Sequence, residues 1–262
     1  MSIWQRASLA LLICVVASAT SAPAGEELLD RYDELLARYA DGNDLRYAAW
    51  RADGEDAEAL DLIVEELVDT DTATLTPGER YSLYINLYNA KIVQLVLKGD
   101  PPRSIRQLGK GVNPFEIFSR KQLDFDGEHI SLNQLEKRLR EESRDPRIHF
   151  AVNCASKSCP PLAPLAYRAE RLDEQLDRQT RAFLTREGSL ILEQKRNGSK
   201  PTLHVTLSKI FDWYAKDFEI AGGALAFVER YAPAEVAVSL RANRGSTKLA
   251  YAEYDWNLNA AP

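Results

Sequence analysis

Cys154 and Cys159 stand in "NCASKSCPP" (153–161), with four residues between them and two prolines behind. A pair so placed admits three chemistries: a disulfide, a metal clip, or a nucleophilic thiol with a neighbour. A disulfide would close a loop of about six residues, worth about 2 kcal/mol by chain entropy. Pro160 and Pro161 stiffen the chain against the geometry that bond needs. A structural zinc would want four Cys or His ligands, and His129, His149 and His204 lack paired spacing. No metal or other cofactor is therefore expected. A nucleophilic Cys154 needs a base within about 3 Å. His149 is near in sequence, yet five extended residues at about 3.3 Å would hold it about 16 Å away. A local dyad thus requires a sharp turn at Asn153; otherwise His204, with Asp255 as orienter, must supply the base from another strand.

A second constellation uses no thiol. Asn86 and Asn89 share a helix face, three residues apart. His149 and Asn153 share one face of a predicted strand, and the two faces could meet across a polar pocket for a small polar or peptidic ligand. Asp255 beside Trp256 adds a carboxylate next to a stacking surface. Each feature has a structural counterpart: buried amides that tie a helix to a loop, hydrogen-bonded histidines, a C-terminal strand pinned by Trp256.

These residues depend on the elements that carry them. "EELLDRYDELLARYA" places Leu28, Leu29, Tyr32, Leu35, Leu36 and Tyr39 on one stripe, predicting an amphipathic helix, and "EDAEALDLIVEELVD" predicts another. In "TLTPGERYSLYINLYNAKIVQLVLKGDPP", Thr76 and Glu79 form a capping box, Pro77 suits the first helical position and Gly99 marks the end. That helix is apolar on nearly every face, so it must be buried, and its asparagines must be bonded at a cost of about 1 to 3 kcal/mol if they are not. Hairpins are expected at Asp126-Gly127 and Asn197-Gly198. Ser131 and Ser208 are expected helix caps. "RIHFAVNC" reads as a strand, "RAERLDEQLDRQTRAFLTRE" as a long helix, and two short helices precede a closing strand in "LAYAEYDWNLN". The expected class is α+β, with N-terminal helices packed on an antiparallel sheet built from hairpins.

The N-terminus has one positive charge at Arg6, an apolar run from Ala7 to Ala17, and small residues ending at Ala22-Pro23-Ala24, the layout of a cleaved secretory signal. Cleavage removes Cys14, and Ile13 before it is too large for a lipid-attachment site. The predicted organisation is a signal over 1–24, a helical extension over 25–75 and an α+β domain over 76–262, in the periplasm or secreted. The apolar run falls short of the ~20 residues that span a bilayer. With 33 Lys and Arg against 39 Asp and Glu among 262 residues, a net charge of -6, nucleic acid is an unsuitable partner.

"YSLYINLYNAKIV", "ISLNQLEKRLR", "DPRIHFAVNCASKSCPPL", "LDEQLDRQTRAFL" and "YDWNLN", in that order from Tyr81 to Asn259, resemble the bacterial secreted domain-of-unknown-function family 547. That family often carries His after the Glu of an "IEH" motif; here Lys137 follows Glu136, so no role passes from that His to this chain. A more distant analogy, to papain-like or transglutaminase-like thiol enzymes, implies a Cys, His, Asp order. Two functions remain open. One is a thiol-dependent hydrolase or transferase acting on peptide or amide bonds, with Cys154 and His149 catalytic. The other is a non-catalytic periplasmic binding or envelope-interaction protein with a Cys154–Cys159 disulfide.

Overall fold

The computed structural model describes residues 24–99, 102–109, 112–197 and 200–261. The expected signal segment with Cys14 lies outside these residues apart from Ala24, and Gly198 of the second expected turn lies outside them as well.

The first helices follow their patterning. Helix α1 (Ala24–Tyr39) buries Tyr32, Leu35, Leu36 and Tyr39. A two-residue ribbon, β1 (Ala40–Asp41) and β2 (Asp44–Leu45), leads to α2 (Tyr47–Ala52) and to α3 (Gly54–Val68), which Asp53 caps through the Asp56 amide. The Thr76–Glu79 capping box forms in full at the head of α4 (Pro77–Lys98). This helix buries residues on every side, among them Ile85, Asn86, Leu87, Asn89, Ile92 and Val93. α1, α3 and α4 share a single hydrophobic core, so residues 24–68 are built into the same body as the segment that follows.

After α4 come a short helix α5 (Glu116–Ser119) and the hairpin β3 (Lys121–Phe125) and β4 (Glu128–Ser131). Its turn places both Asp126 and Gly127 at positive φ, 57° and 71°, as a two-residue turn requires. Ser131 caps α6 (Leu132–Ser143): its hydroxyl accepts from the Gln134 amide and its own amide donates to Gln134 Oε1. The long helix α7 (Leu172–Thr185) precedes a three-stranded sheet of β5 (Leu190–Asn197), β6 (Lys200–Leu207) and β7 (Thr247–Tyr251). Between β6 and β7 lie α8 (Ile210–Trp213), α9 (Ala215–Phe218), α10 (Ala224–Tyr231) and α11 (Ala234–Ala242). The Ser208 hydroxyl accepts from the Ile210 amide at 3.3 Å at the start of α8. The α+β class holds. The strands form separate small sheets, and β7 joins β6 in parallel after a helical crossover.

One expected strand is absent and another is shortened. Residues Pro146–Phe150 form a 3-10 helix started by Pro146 and capped by Asp145, and the chain from Val152 to Pro160 is irregular. The alternation in "RIHFAVN" was misleading because neither set faces water: Ile148, His149, Phe150, Ala151, Val152 and Asn153 are all buried. In place of a neighbouring strand, Asn89 of α4 meets this backbone, donating to the Ala151 carbonyl at 2.9 Å and accepting from the Asn153 amide at 2.8 Å. The closing strand is likewise shorter than expected. β7 ends at Tyr251, and residues 254–261 continue as a strap that touches Ser104, Ser156 and Leu45 through single bridges.

Candidate functional site

The irregular chain after the 3-10 helix builds a thiol pocket. Asn153 fixes the loop: its Nδ2 donates to the Pro160 carbonyl at 2.6 Å and its Oδ1 accepts from the Ala155 amide at 2.7 Å. Ala155 takes a left-handed backbone, φ 59°, turning the chain just after Cys154. This places Cys159 beneath Cys154, with the Cys154 amide donating to the Cys159 sulfur at 2.8 Å. The strap closes the other side. The Lys157 amide donates to the Asn257 carbonyl and the Ser158 amide to the Asp255 carbonyl, which sets Tyr254 over the sulfur.

Cys154 Sγ lies 3.1 Å from Ser156 Oγ and 3.3 Å from Tyr254 Oη, and it also takes a bond from the Cys159 thiol. Burial pushes the Cys154 thiol up, but these three donors outweigh it and hold the thiol down at about 7. Burial and the adjacent Cys154 push Cys159 well above the ordinary thiol value, so it stays protonated and can donate. Burial, with the two sulfurs, likewise raises Tyr254 and keeps its phenol a donor.

Cys154 opens into a cavity of ≈ 380 Å³. His149 lines the same cavity, because the 3-10 turn shortens the path that an extended strand would have stretched. Its Nε2 bonds Asp217 Oδ2 at 2.8 Å and its ring stacks on Tyr214 at 4.0 Å. Asp217, held far below the usual carboxylate range by His149 and then by Arg140, remains charged. Tyr214 in turn is bonded to Glu136 of α6, which also lines the cavity. Among the described residues no hydrogen bond joins His149 to Cys154. The aromatic wall comes from α8 and the strap: Trp213, Tyr254 and Trp256 pack against one another with centroids 4.5–5.6 Å apart, Trp213 stacked on Trp256 and Tyr254 tilted against both.

The remaining candidates have other places. Asn86 exchanges two 2.8 Å bonds with the Tyr167 backbone, and Asn89 and Asn153 spend their amides on the loops just described. Asp255 is exposed and accepts from the Asn257 amide. His204 sits on β6 between Glu193 and Lys248, apart from the cavity. Sequence reasoning missed Ser156, Trp213, Tyr214, Asp217 and Tyr254 as members of the site. Only the aromatic and acidic density of "FDWYAKDF" and "YDW" could have signalled them. Among the described residues no group of three or more His, Cys, Asp or Glu side chains is placed to hold a metal ion.

Residues 72–184 match the family model described as "Protein of unknown function, DUF547". The DUF547 match contains Glu136, His149, Cys154 and Cys159 and ends before Asp217, Tyr254 and Trp256. The thiol and histidine thus lie in the matched part, while the orienting carboxylate and much of the aromatic wall come from the chain beyond it. No curated protein and no solved structure matches the chain.

Proposed function

We propose that the chain is a thiol-dependent hydrolase or transferase acting on peptide or amide bonds, with Cys154 as nucleophile and His149 as acid–base. The observation that carries this reading is a thiol held at about 7 in the same cavity as a histidine bonded to a half-buried carboxylate. Asp217 engages Nε2, which therefore carries the proton, and leaves Nδ1 as the ring nitrogen that can take or give one. The Cys154 thiolate attacks the acyl carbon, forming a C–S bond. The C–N bond then breaks as His149 protonates the departing amine. Water, or a second amine in a transferase, attacks the thioester, gives its proton to His149 and releases the thiolate.

p-Nitrophenyl acetate tests the first half reaction. Intact mass and peptide mapping are expected to find one acetyl group on Cys154 after brief reaction at neutral pH, and none in Cys154→Ser. His149→Gln is expected to slow turnover of the acetyl enzyme by two or more orders of magnitude, the usual worth of a positioned acid–base. A folded wild-type protein that takes no acetyl group would end this reading.

The contact between the two sulfurs favours a second reading, a binding protein whose Cys154–Cys159 pair is oxidised and whose aromatic cavity holds a ligand without chemistry. Thiol counting on protein purified from the exported compartment separates the two, since a formed disulfide leaves no resting nucleophile. Export itself is part of the proposal, supported by the order of charge, apolar run and small residues before Ala24. A mature mass that begins after Ala24 is the expected result.

A further inference from the structure

We infer that the cavity recognises an alkylammonium group, seated against Trp213, Tyr254 and Trp256 with Glu136 as its counter-charge. The inference rests on this cavity being the substrate or ligand site, and it does not depend on the thiol reacting. Three observations carry it. The cavity wall is aromatic: Trp213, Tyr254 and Trp256 form one mutually packed cluster, extended by Phe115 against Trp256 at 4.8 Å. Rings of this kind attract a cation through their negative faces, and the indole does so most strongly. The wall is also accessible, since Trp213 is 45 % exposed although it is a large apolar residue in a folded domain.

The charges point the same way. Among the described residues that line the cavity there is no Lys or Arg, and the acidic groups are Glu136 and the Cys154 thiol. His149 is hydrogen-bonded to Asp217, which lies outside the lining. An anionic ligand would find no Lys or Arg among these lining residues, whereas a cation would meet a carboxylate and aromatic faces. The protein already uses such contacts at the edges of this cluster: the Arg140 guanidinium lies 4.8 Å from the Tyr214 ring centre and that of Arg106 lies 5.3 Å from Phe115. Among the described residues no protein cation covers Trp213, Tyr254 or Trp256, so the exposed part of Trp213 is left for a ligand. A substrate consistent with both chemistries is an amide whose side chain or leaving group carries a basic amine.

The test is equilibrium binding to the full chain, read by tryptophan fluorescence. Choline and n-butylammonium are compared with 3,3-dimethylbutan-1-ol, the neutral isostere of choline. Either cation is expected to bind at least tenfold tighter than the neutral alcohol, and Glu136→Gln is expected to remove most of that difference while the alcohol binds as before. Equal binding of choline and its isostere, or no saturable binding of either cation, overturns the inference. The comparison of ligands on wild-type protein stands even if Glu136→Gln fails to fold. Running it also on Cys154→Ser separates the two ideas: cation binding that survives there while acetylation fails in the wild type refutes the thiol reaction alone, and acetylation without cation binding refutes this inference alone.

Discussion

At Cys154 three donors compete with burial, and their balance has a direction that can be measured. Alkylation by iodoacetamide should follow a thiolate midpoint near 7 rather than the ~8.5 of a free cysteine. Tyr254→Phe removes one donor and should raise that midpoint, with Cys159 remaining slow in both proteins. The same balance links to stability. A thiol whose folded value is lowered stabilises the native state above its unfolded value of about 8.5, and that contribution is lost as pH falls through about 7. The stability difference between wild type and Cys154→Ser should therefore be larger at pH 9 than at pH 6, by about 1 to 2 kcal/mol. Equal differences at the two pH values would show that the hydroxyls do not favour the thiolate. Asp217 works in the same sense at lower pH. Because its folded value is depressed by His149 and Arg140, it stabilises above its unfolded value of about 3.9 and loses that effect as acid protonates it. Asp217→Asn should flatten the acid side of the stability profile, which urea melts between pH 2 and 6 would register.

α4 acts as a scaffold for chain that has no sheet to lean on. Its two asparagines are fully occupied by backbone groups of Ala151, Asn153 and Tyr167. Asn89→Leu leaves a buried carbonyl and a buried amide without partners, so it should lower stability by about 1 to 3 kcal/mol despite adding apolar bulk. An unchanged urea midpoint would contradict this. The helix was legible in the sequence because caps, Pro77 and continuous apolarity all agreed. The 3-10 helix that carries His149 was not, because alternation predicts a strand only when one face meets water. Cys154 and His149 could be named from their types alone. Asp217, 68 positions from His149, and Tyr254, 100 positions from Cys154, could not, since their roles arise from packing between distant segments.

The described residues form two hydrophobic cores, one around α1, α3, α4 and α6 and one around α7, the three-stranded sheet, α8 and α10. Phe150 belongs to the second, although its neighbours Ile148, Ala151 and Val152 belong to the first, and it packs against Phe183, Phe211, Phe218 and Phe227. The cavity takes Tyr88 and Val152 from one core and Ile210 from the other, so it sits along their seam. Phe150→Ala should cost about 3 to 5 kcal/mol and loosen His149 together with the seam, which thermal melts and Cys154 alkylation rates would report in parallel. The strap of residues 254–261 crosses that seam late in the chain. It supplies the Asn257 and Asp255 carbonyls to the cysteine loop, and Asn259 donates to the Ala155 carbonyl and accepts from the Leu45 amide. Its position gives the site a place in time. A chain emerging from the ribosome as far as Tyr251 already holds both cysteines, yet lacks the phenol and the carbonyls that shape them. Of the three donors to Cys154, the Cys159 thiol and the Ser156 hydroxyl are already made by then, so the Tyr254 phenol is the last to arrive and the pocket takes its final form only when the strap has docked.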